Sequence, residues 1–279
     1  MKVYLMTDLE GVAGVTEWED RKNESVANHA QRERQRRWLA REVSAAADGF
    51  FAAGATEVLV NDGHGGGYTI DLDAVDPRVE IIHGRERPFW LPLIETCDVT
   101  GLVGAHAKAG TPLACLRHSM SDSVRGYWFN GISVGEMGMQ AAIAGHYGIP
   151  FIFVSGDAWA CKEIEELIPG CVTVPVKQGL STFCARAWPP VKAQELIRAG
   201  AEKALRAADR VKPFRLDSPL HFRWEMKEPT FDSEKPPIPG ARVVDSHTLE
   251  FVAEDVIDLF IQLYRYPPDF QPRKGMRDP

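Results

Sequence analysis

The sequence predicts an α/β fold: an open, mostly parallel sheet flanked by helices, followed by a smaller C-terminal α+β lobe. Three observations carry this. Short β-branched or apolar runs alternate with helix-period segments over the first three-quarters of the chain, as parallel strands joined by crossover helices require. The chain has 279 residues, 44% of them hydrophobic and 25% charged, which is enough to bury a sizeable core and excludes a disordered or fibrous chain. Beyond Lys212 the texture changes, because Pro213, Pro219, Pro229, Pro236, Pro237 and Pro239 interrupt it. The expected division is therefore 1–211 for an α/β catalytic domain and 212–279 for the appended lobe.

Residues 3–7 form the first expected strand. A helix is expected over about 24–51, where Trp38, Leu39, Val43, Ala47 and Phe50 recur at three- and four-residue steps and Gly54 offers a stop. Its arginine-rich front, residues 32–37, reads as a solvated face. Strands are expected at 57–61, 79–83 and 99–104. Asn130-Gly131 between apolar runs predicts a hairpin over 127–134. Then follow a helix from about 135 to 147, a strand at 150–154, a helix that Asp157 can cap, a strand at 172–176 and a helix over 189–208. In the lobe, 241–252 alternates like a strand and 255–264 reads as a helix.

Composition narrows the function. With 32 basic and 39 acidic residues the net charge is −7, which repels a phosphate backbone and argues against nucleic acid as a partner. The amino-terminal apolar stretch is too short for a signal peptide, and no run approaches a membrane span, so a cytoplasmic protein without a membrane partner is expected. Five cysteines without a C-x-x-C pair suggest reduced thiols and no thiolate zinc site.

In an open parallel sheet, ligands bind beyond the carboxyl ends of the strands. Three of these ends carry metal-ligand residue types: Asp8 and Glu10 after the first strand, His64 after the second, and His106 after 99–104. Asp8 and Glu10 are two apart in extended chain and so point to the same side. Glu136 at a helix start completes a set of three carboxylates and two imidazoles. Each residue alone has an ordinary structural explanation, such as a helix cap, a turn or a core histidine. Together their carboxylates would repel one another, and a shared cation resolves that. Mixed imidazole and carboxylate ligation suits zinc, and five ligands suit two ions with a bridging carboxylate better than one. Asp62 either orients a ligand imidazole or makes an Asx-turn.

At this point the residues resemble a family. Asp8-x-Glu10-Gly11, Asn61-Asp62-x-His64, Gly104-x-His106-Ala107, His118-Ser119-Met120, Gly135-Glu136-Met137-Gly138 and Val176-Lys177-Gln178 are similar, in order and register over about residues 1–210, to the zinc-dependent D-aminopeptidases. The resemblance implies Asp8, Glu10, His64, His106 and Glu136 as ligands of two zinc ions per subunit, with Asp8 as the bridge. It also implies His118 as the catalytic histidine, a small D-peptide or amino-acyl amide as substrate, and a ring-shaped homo-oligomer, with a decamer as the size suggested. Lys177 and Gln178 are carried over most weakly, as a strand end or a contact to substrate.

Rival readings differ in class. Gly131-Ile132-Ser133-Val134-Gly135 matches a nucleophile elbow, and His64-Gly65-Gly66-Gly67 an esterase oxyanion loop, so a serine esterase using Ser133 is one alternative. It leaves the acid and histidine set unexplained. A non-catalytic binding module is another, although no phosphate-binding glycine motif sits at a strand-to-helix junction. A metal-dependent hydrolase of another amide or of a phosphoester is the nearest.

Overall fold

A computed structural model of the chain describes residues 1–267; residues 268–279, the end of the segment expected as an appended lobe, lie outside the described residues. In chain order the elements are β1 (Lys2–Thr7), α1 (Val26–Ala52), β2 (Glu57–Asn61), β3 (Glu80–Ile82), β4 (Val99–Ala105), β5 (Val124–Phe129), β6 (Ile132–Val134), α2 (Glu136–His146), β7 (Phe151–Asp157), α3 (Ala158–Leu167), β8 (Val172–Ser181), β9 (Cys184–Ala187), α4 (Pro190–Arg206), β10 (Leu220–Met226), β11 (Arg242–Asp245), β12 (Thr248–Ala253) and α5 (Val256–Leu263).

Seven strands form the main sheet in the order β3-β2-β1-β4-β7-β8-β9. All pair in parallel except the edge strand β9, which returns antiparallel along β8. β1 and β4 are buried almost throughout, as expected of strands covered on both faces. Chain order runs outward in one direction from β1 and in the other from β4, and right-handed crossovers therefore put α1 on one face and α3 on the other. The gap between the carboxyl ends of β1 and β4 is thus the topological switch point, the place where such sheets bind ligands.

The expected helices and strands are present with ends shifted by a few residues. Ser25 caps α1 through the Asn28 N–H, and Asp157 caps α3 through that of Trp159. The hairpin at Asn130-Gly131 closes with both residues at positive φ, 49° and 80°, the geometry of a type I′ turn. The run expected as one strand over 241–252 is two, β11 and β12, turned at Ser246-His247. A second, antiparallel sheet has the order β11-β12-β10-β5-β6, so strands from the Pro-rich segment and the hairpin from mid-chain share one layer.

Backbone contact brings the ends of β1, β4 and β7 together. A Cβ on Gly11 or Gly156 would overlap the Ala105 carbonyl, and one on Gly104, at φ 83°, would overlap the carbonyl oxygen of Asp8. These three positions have room for glycine alone.

Candidate metal centre

Asp8 leaves β1 with its main-chain N–H bonded to the Val103 carbonyl at 2.8 Å, which holds it against the end of β4. Its two carboxylate oxygens face different imidazoles: Oδ1 lies 3.0 Å from His64 Nδ1, and Oδ2 lies 3.0 Å from His106 Nε2. Glu10 Oε2 is 3.0 Å from the same His64 nitrogen, and Glu136 Oε1, at the start of α2, is 3.3 Å from His106 Nε2. The donors thus form two groups, Asp8, Glu10 and His64 in one and His106, His118 and Glu136 in the other, each with its ligand atoms within 4.8 Å of one another. Asp8 joins the two.

The electrostatics are those of crowded, desolvated charge. Burial alone would raise the Asp8 carboxyl, but the His106 and His64 imidazoles beside it hold it well below the usual carboxylate range. Burial would likewise lower His106 and His64. Glu136 and Asp8 instead hold His106 well above its ordinary value, and Glu10, Asp8 and Glu19 do the same for His64. The one hydrogen bond of His64 Nδ1 goes to Asp8 Oδ1, which leaves Glu10 Oε2, 3.0 Å from the same nitrogen, buried without a hydrogen bond of its own among the described residues. Cations suit this donor set. A metal ion would replace the imidazolium protons, give Glu10 Oε2 a partner and relieve repulsion among three carboxylates.

The nitrogens that point away from the cluster are also engaged. His106 Nδ1 lies 3.0 Å from the Ala107 carbonyl and donates to it, leaving Nε2 free to ligate. His64 Nε2 lies 3.3 Å from Glu19 Oε2. Glu19 is itself held by Arg21 at 2.6 Å and Arg32 at 3.0 Å, and the neighbouring His64 and Arg21 bring its carboxyl down to about 2 against the opposing effect of burial. No periodicity in residues 11–25 of the sequence points to Glu19. Only an acid on the far side of a ligand histidine could have signalled it.

His118 sits beside the second group. Its ring stacks on that of His106 with centroids 3.9 Å apart, and Trp18 meets it edge-on at 5.0 Å. Nδ1 donates to the Leu116 carbonyl at 3.0 Å, and Nε2 lies 3.8 Å from Glu136 Oε1.

The remaining predicted residues are placed differently. Asp62 does not bond to His64; its Oδ2 accepts the N–H groups of Thr69 at 2.8 Å and Ile70 at 3.2 Å and so closes the glycine loop. Lys177, 3% exposed, donates to the carbonyls of Glu10 and Val15 and braces the loop that carries two candidate ligands. Burial lowers its pKa. From the opposite side Glu42 on α1 accepts the Ala13 N–H at 3.0 Å. Gln178 turns instead to Arg186 on β9, with 2.9 Å between Oε1 and Nη2. Ser133 lies within β6 opposite Trp128, and its carbonyl accepts from Lys108 Nζ at 3.0 Å; among the described residues nothing assembles a nucleophile elbow around it.

Comparison with known proteins agrees with this geometry. The family described as D-aminopeptidase matches residues 1–264. A D-aminopeptidase of Bacillus subtilis (strain 168) is 35% identical over 219 residues, which are 76% of this chain and 77% of the relative. The solved structure of the zinc-dependent D-aminopeptidase DppA from Bacillus subtilis, a self-compartmentalizing protease, superposes with a TM-score of 0.87 at 31% identity, covering 95% of this chain and 96% of that one. The chain belongs to the D-aminopeptidase family and is, by that membership, a metallo-aminopeptidase.

Proposed function

We propose that the chain is a zinc aminopeptidase with two ions per subunit, hydrolysing the amino-terminal amide bond of short D-amino-acid peptides or amino-acyl amides. The observation that carries this is Asp8, whose two oxygens face imidazoles from two different strand ends. Asp8, Glu10 and His64 would hold one ion, and Asp8 and Glu136, which both approach His106 Nε2, would hold the other together with that histidine. When bound, the ions supply Lewis acidity, polarising the scissile carbonyl and acidifying a water.

The chain's own groups do the rest. With Nδ1 bound to the Leu116 carbonyl, neutral His118 carries its proton there and presents the Nε2 lone pair to the cavity. That nitrogen can take a proton and return it to the leaving amine. Trp18 and His106 fix the ring plane, so the proton moves along one direction.

Assembly as a homo-oligomer is part of this reading, with a decamer as the size the family resemblance suggests. It is supported by the relative's self-compartmentalizing character and by Leu180, Phe183, Trp188 and Val191, all more than half exposed around the β8–β9 hairpin. Five unpaired cysteines support a cytoplasmic location, and among the described residues no helix is long and apolar enough to cross a membrane.

Metal analysis combined with a substrate screen tests the proposal. Purified protein should carry close to two zinc ions per chain, lose activity to a chelator and recover it with zinc. D-alanyl amide should be hydrolysed faster than L-alanyl amide, and N-acetylation should abolish turnover of both. Full activity after exhaustive demetallation overturns the metal reading, while a preference for L-substrates overturns the D-specificity and leaves the metal reading standing.

A further inference from the structure

The cavity over the candidate metal-ligand groups holds about 810 Å³. Its lining includes Asp8, Glu10, His64 and Glu136 and, besides them, the cations Arg21, Lys22 and Arg85. Three glycines directly follow His64, and a guanidinium lies over each: Arg21 over Gly65, Arg85 over Gly66 and Arg87 over Gly67. Side chains on Gly65 or Gly67 would displace these groups. The glycine run therefore makes a shelf for arginines that begins one residue from a candidate ligand.

The three arginines differ in what they hold. Arg87 is engaged by Asn61 Oδ1 at 2.8 Å and by the carbonyls of Asp62 and Gly84, so it closes the loop. Arg21 is held by Glu19 at 2.6 Å. Arg85 makes no hydrogen bond or ion pair among the described residues, although Glu86 follows it and Glu19 and Asp20 line the same cavity. Those last two acids are already engaged, Glu19 by Arg21 and Arg32, and Asp20 by the N–H groups of Lys22 and Asn23. An unpaired guanidinium facing a substrate cavity is a ready receptor for a planar anion, because its donor fork matches both oxygens of a carboxylate.

We propose that Arg85 binds the C-terminal carboxylate of the peptide substrate. The proposal rests on the aminopeptidase reading of the cavity. With the candidate metal groups engaging the scissile amide, the carboxylate of a short peptide needs a cation elsewhere in the same cavity, and Arg85 is one that has no hydrogen-bond or ion-pair partner among the described residues. The preferred substrates are then short peptides with a free carboxyl terminus, and amino-acyl amides are poorer. Charge-assisted hydrogen bonds of this kind change affinity by about ten- to a hundredfold.

The test compares D-alanyl-D-alanine with its C-terminal amide, on zinc-loaded wild type and on Arg85→Gln. Arg85 is exposed and unpaired, so the variant should fold normally. Wild type should show a KM at least about tenfold lower for the free acid. Arg85→Gln should raise that KM to the value for the amide, leave kcat within about twofold and leave the amide unaffected, while Arg85→Lys recovers part of the preference. Equal KM values in wild type, or equal losses on both substrates in the variant, overturn the carboxylate site and leave the aminopeptidase intact. If neither compound is hydrolysed, the aminopeptidase reading falls, and calorimetric titration of the same two compounds then decides the site alone. Tighter binding of the acid that disappears in Arg85→Gln upholds it, and equal binding overturns it.

Discussion

Two charge clusters sit on the two sheets of this molecule, and they are built on opposite terms. On the antiparallel sheet Arg223 pairs with Glu225 at 2.5 Å and Glu250 at 3.0 Å, and Arg242 joins Glu250 from β11; these side chains are 17–71% exposed. Positive and negative groups complete one another there, and water screens what is left. At the carboxyl end of the parallel sheet, Asp8, Glu10 and His106 are at most 6% exposed, and Glu10 Oε2 is buried without a hydrogen bond of its own among the described residues. The first cluster is sufficient in itself. The second is an incomplete one, and its missing charge is what a cation would bring.

If that contrast is right, substitutions should grade steeply from the buried cluster to the exposed one. Asp8→Ala should have the largest effect, loss of both ions and a fall in kcat/KM on the order of 10⁴ or more, read by metal analysis and turnover together. Retention of one full equivalent of zinc would show that Asp8 does not join the two groups. His118→Ala should lower kcat by about 10²–10⁴ with both ions still bound, whereas Glu10→Ala should lose metal. Equal metal loss in the two variants would move His118 into the ligand set.

Glu19→Gln tests the contrast one layer out. It keeps the shape but removes the charge behind His64, and should weaken zinc binding by about 10- to 100-fold in a competition titration with a chelating dye. An unchanged affinity would reduce Glu19 to a tether for Arg21 and Arg32.

Glu42 extends the comparison to stability. Burial pushes its carboxyl up to about 7 from an ordinary 4.5. Because the folded-state value is raised, the unfolded chain ionises first as pH rises. Stability is complete below about pH 4.5, declines from there to about pH 7, and the loss above that is about 3 kcal/mol. Glu42→Gln, whose amide oxygen can still accept the Ala13 N–H, should remove that decline, so variant and wild type should diverge in urea melts between pH 5 and 8. Parallel curves would mean that Glu42 stays ionised beside Lys177. On the exposed sheet Arg242→Ala should cost less than about 1 kcal/mol, and less again in high salt.

What the sequence revealed of this site follows from where each residue lies on the chain. Asp8, Glu10, His64 and His106 stand just past strands with strong apolar runs, so locating the strands located them. Glu136 opens a helix, and the Asn-Gly turn announced the hairpin before it. Glu19, Glu42 and Arg85 were not legible. Glu19 lies in an aperiodic excursion, Glu42 reads as one more polar residue in a long helix, and Arg85 follows a weak edge strand. Their roles come from neighbours 19 to 45 residues away: His64 for Glu19, Ala13 for Glu42 and Gly66 for Arg85. The sharing of the antiparallel sheet between the mid-chain hairpin and β10–β12 was hidden for the same reason, since strand pairing over 90 residues leaves no local pattern.

The interlock of Gly11, Gly104 and Gly156 around two main-chain carbonyls has a consequence for how the chain can vary. The spacing between Asp8 and His106 is set by backbone atoms in contact, so it does not depend on the size of any side chain. A core substitution elsewhere can be absorbed by repacking, but a methyl group at Gly11, Gly104 or Gly156 must push two strand ends apart, and no second substitution can shorten a main chain to restore them. In a library screened for activity these three positions should therefore behave like the ligands themselves, admitting no replacement and yielding no suppressors, although none of them carries a side chain that could take part in the reaction.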